Sequence, residues 1–315
     1  MKTYSRLTLA FLLLLLVAPQ VGADEPPKNR EAVVSWADSS GKFKIEASFV
    51  EFMDGKVVVL KRASDGKKIK VPFDKLDEQS QSQAKSLSLL PPKNGKHVEY
   101  YESGQKGLES HYKDGKLDGP YANWHENGQK SETGVYKNGK LDGLVTGWYA
   151  NGQKELEAHY KDGNLGGLVT NWYENGQKQL EAHFKDGDPA GLETNWYENG
   201  QKQLEIHYTN GKKNGLQREW GENGKKKLET HFKNGELDGL STSWRKNGQK
   251  EAEAYWKDGK QDGLVTNWHK NGKKSLEAHF KDGKRDGLQT KWDENGKKRL
   301  EIHFKDGEVI SHKRF

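Results

Sequence analysis

From Gly95 onward the sequence repeats every 24 residues without an insertion, and that strictness leaves few folds open to it. Trp124, Trp148, Trp172, Trp196, Trp220, Trp244, Trp268 and Trp292 share one register, and Tyr100 holds the same place one period earlier. Three glycine registers run beside them, Gly95 to Gly287, Gly104 to Gly296 and Gly115 to Gly307. Nine units with three glycines each account for 27 of the 36 glycines, so most of the glycine is architecture rather than linker. A chain of identical small units buries apolar surface only against its neighbours, which points to a stacked array over residues 95–310, with 311–315 as a tail.

Within the unit 167–190, two stretches alternate with period two, and each ends in an aromatic, a Glu or Lys, an Asn or Asp, and a Gly. Tyr173-Glu174-Asn175-Gly176 and Phe184-Lys185-Asp186-Gly187 therefore read as one device used twice, a three-residue hairpin loop with a type I turn and a left-handed glycine. That loop sets Trp172 opposite Lys178, Thr170 opposite Leu180 and Leu168 opposite Ala182, and the second loop sets Leu180 opposite Leu192. Leu168, Thr170, Trp172, Leu180, Ala182 and Phe184 then share one face. The predicted fold is all-β, an antiparallel meander of about 18 strands extending roughly 80–90 Å at ~4.8 Å per strand. A single layer with one apolar face has to twist and curl on itself or cover that face with a partner.

Composition agrees with thin burial. The 315 residues are 32% hydrophobic and 31% charged, with 52 Lys+Arg against 46 Asp+Glu, and they hold 10 Trp, 12 Tyr and 10 Phe. This aromatic content with nearly cancelling charge argues against wholesale disorder. The charges are interspersed and no basic block stands out, so nucleic acid is not an expected partner. Lys2 and Arg6 precede a run from Leu7 to Ala18 that is apolar except for Thr8, and Val21-Gly22-Ala23 follows. This pattern predicts a signal peptide over 1–23 and export to the periplasm, cell envelope or medium, with an uncleaved anchor as the alternative. With no Cys, an exported chain is held together by packing alone.

Residues 30–77 lack the period. Trp36-Ala37-Asp38-Ser39-Ser40-Gly41-Lys42-Phe43-Lys44-Ile45-Glu46-Ala47-Ser48-Phe49 reads as a turn and then a strand. Asp54-Gly55 and Asp65-Gly66 are turns flanking Val57 to Leu60, and Lys67 to Val71 makes a further strand before Pro72. The expectation is a compact β module of four or five strands, SH3-like, with linkers over 24–29 and 78–94.

Candidate chemistry is sparse. His111, His159, His183, His207, His231, His279 and His303 each follow a Glu by two residues, which puts both on one strand face. Equivalent histidines lie two strands apart, about 9–10 Å, too far to share a zinc ligated at ~2.1 Å. With Glu181 across from Val169 and His183 across from Gly167, an imidazole covering a bare glycine is the simpler reading. No metal or other cofactor is expected. The eight tryptophans about 10 Å apart read as core packing or, alternatively, as a stacking platform for a glycan. No Ser/His/Asp set, Cys nucleophile or phosphate loop recurs, so the chain is not read as an enzyme.

Two resemblances add to this reading. Tyr-Glu-Asn-Gly-Gln-Lys, then Glu, an aromatic, Lys-Asp-Gly-Lys and Asp-Gly-Leu, resembles the variant MORN repeat of bacterial YwqK-type antitoxin-like proteins, over residues 95 to about 310. That resemblance implies elongated β-hairpin arrays used for protein or membrane association, with an antitoxin or immunity role by analogy. The run from Trp36 to Phe49, with the later Asp-Gly-Lys turns and Ile69-Lys70-Val71-Pro72, resembles the Sla-homology domain of the yeast endocytic adaptor. It implies an SH3-like fold that binds Asn-Pro-Phe-x-Asp peptides, with a lysine near the place of Lys61 contributing; a solvated strand lysine is the alternative for Lys61. The expected function is a non-enzymatic exported adaptor or scaffold. It would bind an envelope protein or itself through the repeat sheet, with a glycan as the rival ligand and a membrane surface ranked below both.

Overall fold

The computed structural model describes residues 30–53 and 55–315. The expected signal peptide over 1–23, the linker over 24–29 and Asp54 of the first turn lie outside the described residues. The described residues divide into two compact units, one ending at Leu90 and one over Pro91–Phe315. Both are built mainly of antiparallel strands, as the alternation predicts.

In the first unit β1 (Val33–Ala37), β2 (Lys44–Met53), β3 (Val57–Arg62) and β4 (Lys68–Pro72) pair in chain order. Asp38 explains the Trp-x-Asp-x-x-Gly spacing. Its carboxylate accepts the Ser40 hydroxyl at 2.7 Å and the Phe43 N–H at 3.1 Å, closing the β1–β2 turn, while Gly41 takes φ 69°. Trp36 is buried, stacks on Phe49 at 6.3 Å, and donates its indole N–H to the Ala47 carbonyl at 3.0 Å. The stretch expected to be linker departs from that reading, because helix α1 runs over Glu78–Ser88. Asp77 caps it by accepting the Ser80 N–H at 2.8 Å. Ser80, Ala84 and Leu87 fall on one helical face and are buried, and Ala84 and Leu87 join the core of Trp36, Ala47, Phe49, Val58 and Leu60. At the other end, buried Arg30 donates from Nε to the Leu87 carbonyl at 2.9 Å, satisfying a terminal acceptor.

In the second unit the first loop is as the sequence predicts and the second is not. Tyr173 N–H bonds the Gln177 carbonyl and Gly176 N–H the Tyr173 carbonyl, both at 2.9 Å, with Gly176 at φ 81°. Asn175 Oδ1 accepts the Gln177 N–H at 2.9 Å and holds the type I geometry. At the other end Lys185 pairs with Asp188, leaving a two-residue loop in which Asp186 (φ 52°) and Gly187 (φ 91°) are both left-handed. This is the type I′ hairpin, which an Asp or Asn followed by Gly accommodates.

The register also departs from the even count. Trp172 pairs with Lys178 as expected, but Asn171 pairs with Leu180, so Gln179 is an extra, bulged residue. Beyond the bulge Thr170 faces Glu181 rather than Leu180, and Leu168 faces His183 rather than Ala182. Across the next ladder Leu180 faces Asn195, not Leu192. Because a one-residue slip exchanges the faces of a strand, Trp172, Thr170 and Leu168 share a face with Lys178, Glu181 and His183. Val169, Leu180, Ala182 and Phe184 lie on the other face. There the core of the array forms, with Val145, Ala158, Tyr160 and Val169 buried and Leu141, Leu156, Leu165 and Phe184 packed against them.

Besides the backbone ladder that joins neighbouring units, three further bonds link the unit 167–190 to its neighbours. Gly187 N–H donates to the Leu165 carbonyl of the unit before at 2.8 Å. Toward the unit after, the Tyr173 hydroxyl donates to the Trp196 carbonyl at 2.8 Å and Asn175 Nδ2 to the Glu198 carbonyl at 2.9 Å. A ring of strands would need the last to pair with the first. The last strand, Glu308–Arg314, has its ladder with Lys298–Lys305, and all seven of its residues are exposed, so we describe an open meander rather than a closed barrel.

Candidate functional site

The tryptophan face is an ordered polar lattice. In each regular unit the bulge brings a lysine and the glutamate three residues on to the same face, where they pair. The pairs are Lys106–Glu109, Lys154–Glu157, Lys178–Glu181, Lys202–Glu205, Lys226–Glu229, Lys250–Glu253, Lys274–Glu277 and Lys298–Glu301. The same ammonium reaches over the indole of the following unit: Lys106 lies 4.9 Å from the Trp124 ring centre, Lys154 5.7 Å from Trp172, Lys178 5.9 Å from Trp196 and Lys226 5.5 Å from Trp244. Each such pair combines an ion pair of about 0.2–1 kcal/mol with a cation–π contact of about 0.5–1 kcal/mol. Glu109 and Glu229 are held below the usual carboxylate range, first by the hydrogen bonds from Lys106 and Lys226.

All eight tryptophans of the register are half-buried. They stand neither in the core clusters nor bare to solvent. The neighbours that suggested core packing, Leu180, Ala182 and Phe184, are on the opposite face because of the bulge. Beside the lattice runs a row of cross-strand pairs, Leu144 with His159, Leu168 with His183 and Leu192 with His207, whose leucines are exposed.

Five of the seven histidines, His111, His183, His207, His231 and His279, stand against a glycine, on the strand that follows rather than the one before, whereas His159 does not and His303 meets Ser311. A Cβ on Gly119 would lie 3.0 Å from His111 Cβ, and one on Gly239 3.1 Å from His231 Cβ. His111 and His231 bond through Nδ1 to the Pro120 and Leu240 carbonyls at 2.8 and 3.0 Å. Their partners Leu168 (for His183) and Thr170 (for Glu181) replace the expected Gly167 and Val169. Among the described residues no group of three His, Cys, Asp or Glu could hold a metal ion. None of the helices there is long and apolar enough to cross a membrane.

Several buried polar groups interrupt the apolar pattern of the core face, and at two of these places a tyrosine lies against a carboxylate. Tyr121 donates to Glu132 at 2.6 Å, and its phenol is pushed up, first by burial and then by that carboxylate. Glu193, itself buried, accepts from Asn195 at 2.8 Å and lies against Tyr208. Sequence reasoning passed over both; a column-by-column comparison of the units would have marked Glu132 in a leucine column and Glu193 in a valine column. Lys61 on β3 is exposed and lies between Ser48 and Lys68 of the flanking strands, its stem 3.6 Å from where a Cβ of Gly66 would stand.

A small sheet-and-helix module followed by a hairpin array with repeated surface groups defines a class of repeat-containing interaction proteins. Comparison with known families agrees. Residues 24–85 match the SLA1 homology domain 1, and residues 117–138, 141–162, 165–186, 190–210, 213–234, 261–282 and 285–306 match the MORN repeat variant. The chain thus carries an N-terminal SLA1 homology domain followed by seven MORN-variant repeats, both of them protein-interaction modules and neither an enzyme family. The hairpins over 95–113 and 239–257, outside the matched segments, keep the same ladder pattern and bulge. No curated protein matches the chain.

Proposed function

We propose that the protein is an exported adaptor or scaffold that binds a protein partner through the tryptophan face of its repeat array. The observation that carries this reading is the repetition of the same exposed groups, a Leu–His pair beside a Lys–Glu pair, unit after unit along one face. A linear array of equal contact sites suits a partner that is itself extended, and the leucines of this face are exposed because the core lies on the other face. The first unit adds a second binding module, with exposed Lys61 beside Lys68 on one face of its sheet as the peptide contact.

The experiment is photo-crosslinking in the native host from residues substituted at Leu144, Leu168 and Leu192. A defined protein captured from these positions and not from turn positions such as Asp186 supports the reading. It fails if these positions capture no protein, or if the purified chain turns over a substrate in a way a single substitution abolishes. Export is tested by the mature N-terminus, expected at Asp24.

The rival glycan-binding reading rests on the regular row of indoles. A sugar stacking on Trp124, Trp172, Trp196, Trp244 or Trp268 has to displace a lysine that already covers the ring, at a cost of about 1–2 kcal/mol per site. Oligosaccharide titration should therefore leave the tryptophan fluorescence unchanged. Kinship with the YwqK-type antitoxin-like proteins is the further alternative, and no feature of either face favours it over the adaptor role.

A further inference from the structure

Nine lysines share the register of Lys178, and eight of them pair with the glutamate three residues on. Lys130 is the exception, because Thr133 stands where the glutamate belongs. The carboxylate has moved back one residue. Glu132 takes the leucine place and so falls on the core face, where Tyr121 bonds it. Lys130 is left exposed on the tryptophan face, with no carboxylate within ion-pair distance among the described residues.

Three more side chains are trimmed at this spot. Val135 stands in the histidine column, Pro120 in the leucine column and Ala122 in the threonine column. The result is an open depression of about 360 Å³ lined by Lys130, Thr133, Pro120, Ala122, Val135 and Leu144, with Val135 42% and Leu144 44% exposed. The other titratable groups lining it are already engaged: Glu109 is paired with Lys106 at 2.9 Å and Lys96 at 3.0 Å, His111 donates from Nδ1 to the Pro120 carbonyl at 2.8 Å, and the Tyr121 hydroxyl donates to Glu132 at 2.6 Å.

We propose that this depression docks an acidic segment of a partner protein. A glutamate or aspartate of the partner supplies to Lys130 the carboxylate that the other eight lysines find within their own unit, and accepts a hydrogen bond from the Thr133 hydroxyl. Aliphatic side chains flanking that residue cover Pro120, Val135 and Leu144. The exposed apolar floor is what distinguishes a peptide from a free anion as the occupant. This site rests on the reading of the array as a protein-binding surface, and places the recognition of charge in one unit of it.

The test is fluorescence anisotropy on the full mature chain with a labelled acetyl-Leu-Glu-Leu-amide peptide and its Gln counterpart. A charge-assisted contact of this kind makes the Glu peptide bind about tenfold or more tightly than the Gln peptide. Lys130→Ala should remove that preference. Thr133→Glu should remove it too, by restoring the pair within the chain, while leaving the denaturation midpoint no lower than that of the natural chain, which separates blocking from misfolding. The site is overturned if the Glu and Gln peptides bind alike, if Thr133→Glu still binds, or if neither peptide binds at about 1 mM. Its failure with crosslinks retained at Leu168 and Leu192 refutes only the site, whereas loss of those crosslinks refutes the wider reading.

Discussion

Tyr208 lies against the buried carboxylate of Glu193, and burial first, then that neighbour, pushes its phenol up to about 12. An unfolded tyrosine ionises near ~10. Between these values the folded chain keeps a proton that the unfolded chain has released, so stability is intact below pH ~10 and falls as pH rises toward about 12. Tyr208→Phe should flatten that alkaline part of the curve, checked by denaturant midpoints at about pH 9 and pH 11. The Tyr173 hydroxyl has a different use, since it bonds a backbone carbonyl of the next unit. Tyr173→Phe should cost about 0.5–1.5 kcal/mol in the same measurement. At this scale the sequence was only half legible. Asn175-Gly176 and Asp186-Gly187 look alike in the chain, yet the first residue is right-handed in one turn and left-handed in the other. What separates them is how the flanking strands pair, which has no local signature.

Among the elements, the strands were legible and the helix was not. Residues 78–88 are rich in Gln and Ser, and only Ala84 and Leu87 bring apolar surface to the core, too few for a clear helical period. They nonetheless complete the first unit. A chain truncated after residue 77, at the boundary the sequence suggests, should fail to fold as an isolated module, whereas one extended to 90 should give dispersed amide resonances. Leu87→Ala should lower the stability of that longer module by about 2–5 kcal/mol, read as a shifted urea midpoint. The same lack of a local mark explains the misplaced face. The alternation along residues 164–172 and 178–185 is visible, but Gln179 inserts one residue between two correct patterns. Each strand was thus read rightly by itself and one residue out against its neighbour.

For the whole array, the 24-residue period announced a meander of hairpins and their number, because identical units have to meet identically. The division of labour between its faces was hidden, since it follows from the bulge. Units that are fastened by the same bonds on both sides can be removed whole. Deleting residues 167–190, one full period, should leave a cooperatively folding array with a native-like β circular dichroism spectrum, while deleting 167–178 should place unlike strands side by side and cost much of that signal. The place of Lys130 could be seen only once the units were laid in register, where one missing glutamate stands out against eight present.

The strand-by-strand way in which the units are joined also decides how the array bears load. Tension applied to the two ends of residues 95–315 runs across the strands, so it peels hairpins away one at a time instead of shearing a whole ladder at once. Each peeled unit frees 24 residues, roughly 80 Å of chain at ~3.4 Å per residue, in place of about 10 Å of folded length. A partner bound along the tryptophan face is thereby attached to a spring of nearly equal links. Such a link yields by steps under strain and lets the units beyond it keep their hold.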